Sequence, residues 1–437
     1  MHMVLEKLID DFYERPLPAL VQREKAITVL PGKASVVLGM RRSGKTFLCY
    51  QHMKGLLAAG IPKDRLLYLN FEDDRLLPMK IGDMDGILEA YFRRAPENKA
   101  HPCTFFFDEI QAVSGWEHFV RRLLDTENIS VVVTGSSSRM LSREIATCLR
   151  GRSLATEVFP YSFREFLVCH QGDAVELDNV HWGAARRARV QQAAEHYLER
   201  GGFPEVQAFP EEQRRQVVRN YVDVVLLRDV LERYGETNVT ALRALIHQCL
   251  SAPANRLSVT KFHNNLKSQG IACSKNTLYG NLEQLEDAYL LGRVPVYSRS
   301  AAVRRVNPSK IYVCDVALAS AFRQPGYDDY GYLLENLVWS HLQARDLELS
   351  YYLSSDGLET DFVCRGNDSK RVNLIQVCWS MRNEKALARE LRALKAAMCE
   401  LKIDKGLIVT WLEEASLGGG ITAIPFWKWA MQKDLSL

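Results

Sequence analysis

An α/β fold built on a doubly wound parallel sheet is predicted by three stretches of this chain. The first, Gly39-Met40-Arg41-Arg42-Ser43-Gly44-Lys45-Thr46, fits G-x-x-x-x-G-K-[ST] and lies between an apolar run, Ala34–Leu38, and a helical segment, Phe47–Ala58. The second, Thr104–Glu109, is an apolar strand that ends in two adjacent carboxylates. The third, Ser130–Thr134, is another buried strand, opening into Gly135-Ser136-Ser137-Ser138. With Leu66–Phe71 as a further strand and helical segments between, the chain alternates β and α through about residue 160, the pattern of a parallel sheet with helices on both faces.

Strand, glycine-rich turn and helix in that order make a phosphate cradle, a P-loop. Backbone N–H groups of the turn and the positive end of the helix dipole aim at one anion. Gly39, Arg41, Arg42, Ser43, Gly44, Lys45, Thr46 and Phe47 are the candidate nucleotide-binding residues. Lys45 is expected to reach the β/γ-phosphates, and Thr46 with Asp108 to hold Mg²⁺. Glu109 then polarises the attacking water as a general base. Thr134 or Ser136 is the candidate for a polar contact to the γ-phosphate or the lytic water, with Ser138 as a helix N-cap before Arg139–Leu149. In Leu149-Arg150-Gly151-Arg152, ahead of a strand over Leu154–Phe159, one arginine could reach a γ-phosphate across a subunit boundary. Arg152 is preferred to Arg150, and pairing with a local carboxylate is the alternative.

A chain of 437 residues exceeds one ordinary core and predicts two to four domains. With 47% hydrophobic and 25% charged residues it has a globular composition. The ten cysteines are scattered, with no C-x-x-C pair and no zinc-like His/Cys spacing. No apolar run approaches the ~18–20 residues of a membrane span, and Met1–Lys7 has no long apolar h-region. These features predict a soluble cytoplasmic protein with reduced thiols and no membrane partner.

Leu5, Leu8, Ile9 and Phe12 form a helical stripe before the turn at Pro16 and Pro18, an N-terminal arm packed on the nucleotide domain. Glu72-Asp73-Asp74 closes the strand over 66–71, either near the nucleotide edge of the sheet or as a solvated acidic loop. From Phe163 helical periodicity takes over, broken at Gly201-Gly202-Phe203-Pro204, a hinge or a plain turn; Arg228-Asp229 ends an apolar run and either faces the nucleotide or pairs locally.

Residues 240–313 read as three helices and two strands, Leu290–Tyr297 and Lys310–Val313, the layout of a winged helix. Nine Lys/Arg against three Asp/Glu between Arg256 and Lys310 give a local +6 within a net +3. Lys261, Lys275, Asn276, Tyr279, Arg304 and Arg305 are the candidate DNA contacts, with Asn281 on the same helix as Tyr279. From about Tyr330 the chain predicts a helix over Leu333–Arg345 and a meander, Leu349–Leu353, Glu359–Arg365 and Val372–Trp379. A helix, Glu384–Leu401, and a last strand, Lys405–Trp411, complete it.

The set Gly39–Thr46, Asp108-Glu109, Thr134-Gly135-Ser136 and Leu149–Arg152, together with Leu69–Asp73 and Arg228-Asp229-Val230, resembles the bacterial and archaeal AAA+-like ATPases that carry a conserved C-terminal region of unknown function. The resemblance covers nearly the whole chain. It implies a P-loop NTPase core over 1–162 with a helical lid over 163–238, a winged helix over 239–315, and over 328–437 an α/β domain similar to PD-(D/E)xK (restriction-endonuclease-like) nucleases. That nuclease pattern wants an acid on the first helix, an acid on one strand and acid-x-Lys on the next. Glu335 and Asp361 match the first two, but Gln376-Val377-Cys378 stands third, so a metal ligand is weakened and the lysine is missing. Nuclease activity is therefore expected to be absent, although a migrated base, such as Arg382 or Lys385, could in principle restore the missing charge. ATP and Mg²⁺ are the expected ligands, DNA (duplex or branched) the expected partner, and a homo-oligomer, ring-shaped or otherwise, the expected assembly. The leading reading is ATP hydrolysis coupled to moving or remodelling DNA; the alternative is an ATP-dependent regulatory switch or scaffold without motor activity.

Overall fold

The computed structural model of the chain describes residues 1–136, 151–172, 183–235, 238–323, 330–345, 347–366 and 372–432. Ser137, Ser138, the predicted helix over 139–149 and Arg150 lie outside the described residues, as does the side chain of Arg305. The chain divides into two compact units, Met1–Phe159 with Asp287–Tyr289, and Pro160–Glu286 with Leu290–Leu437.

The first unit is a five-stranded parallel sheet of β1 (Ala34–Leu38), β2 (Leu66–Asn70), β3 (Cys103–Asp108), β4 (Ile129–Gly135) and β5 (Ser153–Glu157), in the order β2-β3-β4-β1-β5. Its strands read as unbroken apolar runs because both faces are covered. Alternate side chains of one strand serve different cores: Phe105 and Phe107 pack with Trp116, Phe119 and Val120, whereas Phe106 packs with Leu48 and Met53 of the helix Lys45–Ala58. The N-terminal stripe is the helix His2–Glu14, with Leu5, Leu8 and Ile9 buried in the first of these cores. Because β4 lies between β1 and β3, Thr134 is set between the P-loop strand and Asp108. That placement follows from register: Val37 pairs with Thr134, and Phe107 with Val133.

In the second unit, helices Phe163–Gln171, Ala184–Arg200 and Glu211–Val224 follow one another. The glycine pair between the last two is a packed corner. Gly202 N donates to Asp315 Oδ2 at 2.7 Å, and a Cβ on Gly202 would lie 2.3 Å from the carbonyl oxygen of Tyr161, so no side chain fits there. The apolar run over 221–229 passes from α-helix into a π-helical stretch, Val225–Leu231. Arg228 pairs with Glu232 one turn on, at 3.3 Å, a local ion pair.

Helices Val239–Ser251, Val259–Ser268 and Lys275–Asp287 come next. Ser258 Oγ caps the second by accepting from Lys261 N at 3.3 Å. The accompanying sheet has three strands rather than the expected two. β6 (Asn255–Arg256) pairs with β8 (Lys310–Val313), which pairs on its other side with β7 (Leu291–Val294). A two-residue strand carries no periodicity to read, and β7 stops before Pro295, which has no N–H for the ladder.

The last sheet is mixed and six-stranded: β9 (Glu348–Leu353), β10 (Glu359–Arg365), β11 (Val372–Cys378), β12 (Gly406–Thr410), β13 (Ala415–Gly418) and β14 (Ile421–Pro425), ordered β13-β14-β12-β11-β10-β9. The helix Glu384–Leu401 packs Leu394, Ala397 and Met398 on it. Residues 405–411 are thus not the final strand. β13 and β14, joined through Gly418-Gly419-Gly420 with all three glycines at positive φ, extend the sheet beyond it.

Candidate active site

The P-loop closes on itself as its glycines require. Gly39 has φ +151°, and a Cβ there would sit 2.2 Å from the carbonyl oxygen of Val158. Gly44, at φ 103°, starts the helix Lys45–Ala58. Lys45 Nζ donates to the carbonyls of Gly39 at 3.1 Å and Met40 at 3.2 Å and lies 3.5 Å from Glu109 Oε1. Ser43 Oγ is fully buried in the loop with no protein partner. A buried hydroxyl left for a ligand oxygen, backbone donors at a helix start and an ammonium ion fit a phosphate chain. Phe47, one residue further along, is 46% exposed.

Asp108 ends β3, 3% exposed. Its Oδ2 accepts from Thr46 Oγ1 at 2.8 Å and Tyr68 OH at 2.7 Å, and Oδ1 accepts a short bond from Thr134 Oγ1. Burial pushes the Asp108 carboxyl up and the neighbouring Glu109 charge adds to this, while the three hydroxyls pull it back. Thr46 and Asp108 would hold Mg²⁺, which supplies charge neutralisation to the phosphate oxygens when bound. A cation there also favours the ionised Asp108 that burial opposes.

Glu109 sits at φ +51°, in the left-handed region, a conformation that costs an ordinary residue about 1–3 kcal/mol and recurs at active sites. Its N–H donates to Thr134 Oγ1 at 2.9 Å, and its Oε2 accepts from Gln111 Nε2 at 2.5 Å. Burial would raise the Glu109 carboxyl, but the Lys45 ammonium and the Arg41 guanidinium override it and hold it below the usual range. Glu109 is therefore ionised near neutrality, the form a base needs.

The structure brings Lys45, Thr46, Asp108, Glu109 and Thr134 together. Thr134 spends its hydroxyl on Asp108 and on the Glu109 backbone, so it aligns the acid pair. Ser136 is buried just beyond β4. Arg41 pairs with Glu72 at 3.0 Å, which draws that carboxylate to the P-loop, while Asp73 bonds Arg75 instead. Arg42 occupies the turn at φ 68°. Arg152 is in register with the start of β1, where Ala34 N donates to its carbonyl at 2.9 Å, and its side chain pairs with Asp125. The P-loop follows the other end of β1, a strand's length away, and the carboxylate that Arg152 pairs with belongs to its own unit.

Two participants carried little sequence signal. Arg23, in the arm before β1, donates to the carbonyls of Ser43 at 2.9 Å and Phe159 at 2.5 Å. Tyr68 is a hydroxyl inside an otherwise apolar strand, and its donation to Asp108 spans 40 residues of sequence. Tyr68→Phe removes one of three donors to Asp108 and is expected to raise the Mg²⁺ concentration for half-maximal turnover by about 3–10-fold. A Mg²⁺ titration of the ATPase rate checks this, since a merely structural tyrosine would leave the half-saturation point unmoved.

Elsewhere, Lys261, Lys275, Asn276 and Tyr279 are exposed on the second and third helices of their group, and Arg304 donates to the carbonyl of Ser298 at 2.7 Å. Asn281 does not join them, being 2% exposed. Among the described side chains from 256 to 310, Arg256 pairs with Glu359, Arg293 with Glu286 and Lys310 with three carboxylates. The surface excess is smaller than the sequence implied. Gln376 and Cys378 are buried, Gln376 Nε2 donating to Glu390 Oε2 at 2.5 Å and Cys378 Sγ to the Ser380 carbonyl at 3.5 Å. No helix among the described residues is long and apolar enough to cross a membrane.

A five-stranded parallel sheet, a P-loop and an Asp-Glu pair at the end of β3, one strand removed from the P-loop strand, define a P-loop ATPase of the AAA type, and the AAA domain family matches residues 31–167. Two domains of unknown function match residues 191–328 (DUF8612) and 330–429 (DUF4143). An uncharacterized protein of Methanocaldococcus jannaschii, MJ1544, is 31% identical over 440 residues, covering 98% of this chain and 94% of the relative. The chain belongs to the same family as that protein. An uncharacterized Haemophilus influenzae protein is 29% identical over 76% of this chain and 80% of its own. Among solved structures, a Walker-type ATPase of Pyrococcus abyssi is similar at 13% identity and a TM-score of 0.42, over 73% of this chain and 94% of that one.

Proposed function

We propose that this protein hydrolyses ATP with Mg²⁺ at the P-loop site and couples the cycle to binding and moving or remodelling DNA as a homo-oligomer. The observation that carries the hydrolytic part is the single cluster of Lys45, Thr46, Asp108 and Glu109, with an ionised carboxylate 3.5 Å from the phosphate-binding lysine. In this reading Lys45 binds phosphate, Thr46 and Asp108 hold the metal, Glu109 activates water, and an arginine of a neighbouring subunit completes the site. The helices of 163–238 act as a lid, 239–315 as a winged helix and 328–437 as a nuclease-like module that does not cut. Exposed Lys261, Lys275, Asn276 and Tyr279 support a DNA face on the winged helix, with Arg304 and Arg305 as further candidate contacts.

The internal pairing of Arg256, Arg293 and Lys310 favours a second reading. With that charge spent inside the fold, the protein is an ATP-dependent switch or scaffold whose helical module holds a protein or DNA partner without movement. ATPase rates with no DNA and with single-stranded, duplex and branched DNA, beside a mass measurement with ATP present, separate the two. A motor is accelerated by at least one DNA and assembles with ATP. A slow rate that no DNA changes rejects the motor.

A further inference from the structure

The second unit buries a lysine among carboxylates. Lys310 opens β8 and is 2% exposed. Its Nζ lies 2.5 Å from Glu335 Oε1, 2.9 Å from Glu359 Oε1 and 3.0 Å from Asp361 Oδ1. Glu335 comes from the helix Gly331–Gln343, whereas Glu359 and Asp361, two apart on β10, share one face of that strand. An ammonium ion has three donors and no acceptor, so all three are used. Further contacts to the three carboxylates come from within the chain: Tyr312 OH donates to Glu335 Oε1 at 2.6 Å, Val377 N to Asp361 Oδ2 at 2.9 Å, and Arg256 Nε pairs with Glu359 Oε2 at 2.9 Å.

Three carboxylates from two elements converging on one buried point are the arrangement that holds a hard divalent cation. Here a protein cation stands at that point. Burial alone would lower the Lys310 ammonium, but Asp361, Glu335 and Glu359 override it and raise it well above the ordinary lysine value, keeping it charged. Among the described residues no group of three or more acidic, His or Cys side chains is disposed to hold a metal ion.

We propose that Lys310 is the resident cation of this cluster, occupying with its ammonium group the position a divalent metal ion would otherwise take, so that the cluster binds such an ion only when the lysine is removed. The missing charge is thus supplied neither by Arg382 nor by Lys385 but by a strand of a different sheet. Its role is mechanical: it fastens β8 of the three-stranded sheet to β10 of the six-stranded one, and its ammonium group stands at the point where an ion would be coordinated to activate water. The proposal is independent of the ATPase reading, because it concerns neither the P-loop nor its metal.

Mn²⁺ binding to the full chain without nucleotide, followed by electron paramagnetic resonance, tests it in wild type, Lys310→Ala and Lys310→Ala/Asp361→Asn. Lys310→Ala is expected to gain one site at least about tenfold tighter than any in wild type, and the double variant to lose it again; ions held at the P-loop contribute equally to all three. The melting temperature of Lys310→Ala is expected to fall by roughly 5–10 °C in metal-free buffer and to recover in part with Mn²⁺. If Lys310→Ala folds only when Mn²⁺ is present, the proposal stands. It is overturned by a variant that gains no site, by one that fails to fold with or without Mn²⁺, or by a wild-type site that Asp361→Asn abolishes.

Discussion

In the Glu109→Gln protein, ATP is expected to bind with little change while turnover falls by about 10²–10⁴-fold, the range that loss of a positioned general base produces. The structure explains why binding survives. Glu109 touches the phosphate-binding lysine at 3.5 Å, and glutamine keeps the shape, the bond to Gln111 and the backbone bond to Thr134. What is lost is the negative charge that Lys45 and Arg41 keep ionised. Fluorescent-nucleotide titration read beside single-turnover hydrolysis separates the two effects. Because the Glu109 carboxyl is held below the usual range, the wild-type rate should be flat through neutrality and fall only on the acid side, as Glu109 takes up a proton. Undiminished hydrolysis in Glu109→Gln would move the base to another residue.

Most of that site was legible because each part of it has a mechanical signature. A P-loop is a spacing with glycines at fixed places, and an acid pair ending an apolar strand is visible once the strand is found. The sheet behind them was legible for the same reason, since fully buried parallel strands are apolar throughout. What escaped depends on contacts between residues far apart in sequence. Tyr68 and Asp108 are 40 residues apart and Arg23 and Phe159 are 136 apart, and no local pattern announces either pair. Lys310 was misread outright. In a segment counted for its positive charge it looked like one more surface cation, whereas β8 carries it into a pocket formed by Glu335, Glu359 and Asp361. Net charge over a window cannot distinguish a solvated lysine from one already neutralised. β6 was missed because a strand of two residues is too short to show a period of two.

Lys45→Met is expected to lower turnover by about 10³-fold or more, because it removes the charge that meets the phosphate oxygens as the transition state forms, and to weaken ATP binding by about tenfold or more. Its second consequence is on stability. Lys45 is the largest influence holding the Glu109 carboxyl down against burial, so methionine leaves that carboxylate enclosed without its nearest cation. Glu109 is 13% exposed at its side chain, and water relieves part of the penalty, which places the loss at about 1–3 kcal/mol rather than the larger cost of a fully buried orphan charge. The sign with pH follows from the two directions. In wild type the depressed Glu109 contributes stability above the ordinary glutamate range and loses it as pH falls through the depressed value. In Lys45→Met the folded value rises above the unfolded one, so stability is present in acid and declines as pH climbs. The deficit relative to wild type should therefore be small in acid and grow toward neutrality. Lys45→Met/Glu109→Gln should recover most of the lost stability at neutral pH and none of the activity. Chemical denaturation across pH of wild type, both single variants and the double variant gives the coupling free energy of the pair directly. A double variant as unstable as Lys45→Met would mean that the lysine supports the loop through the Gly39 and Met40 carbonyls and that its pairing with Glu109 contributes nothing to the fold.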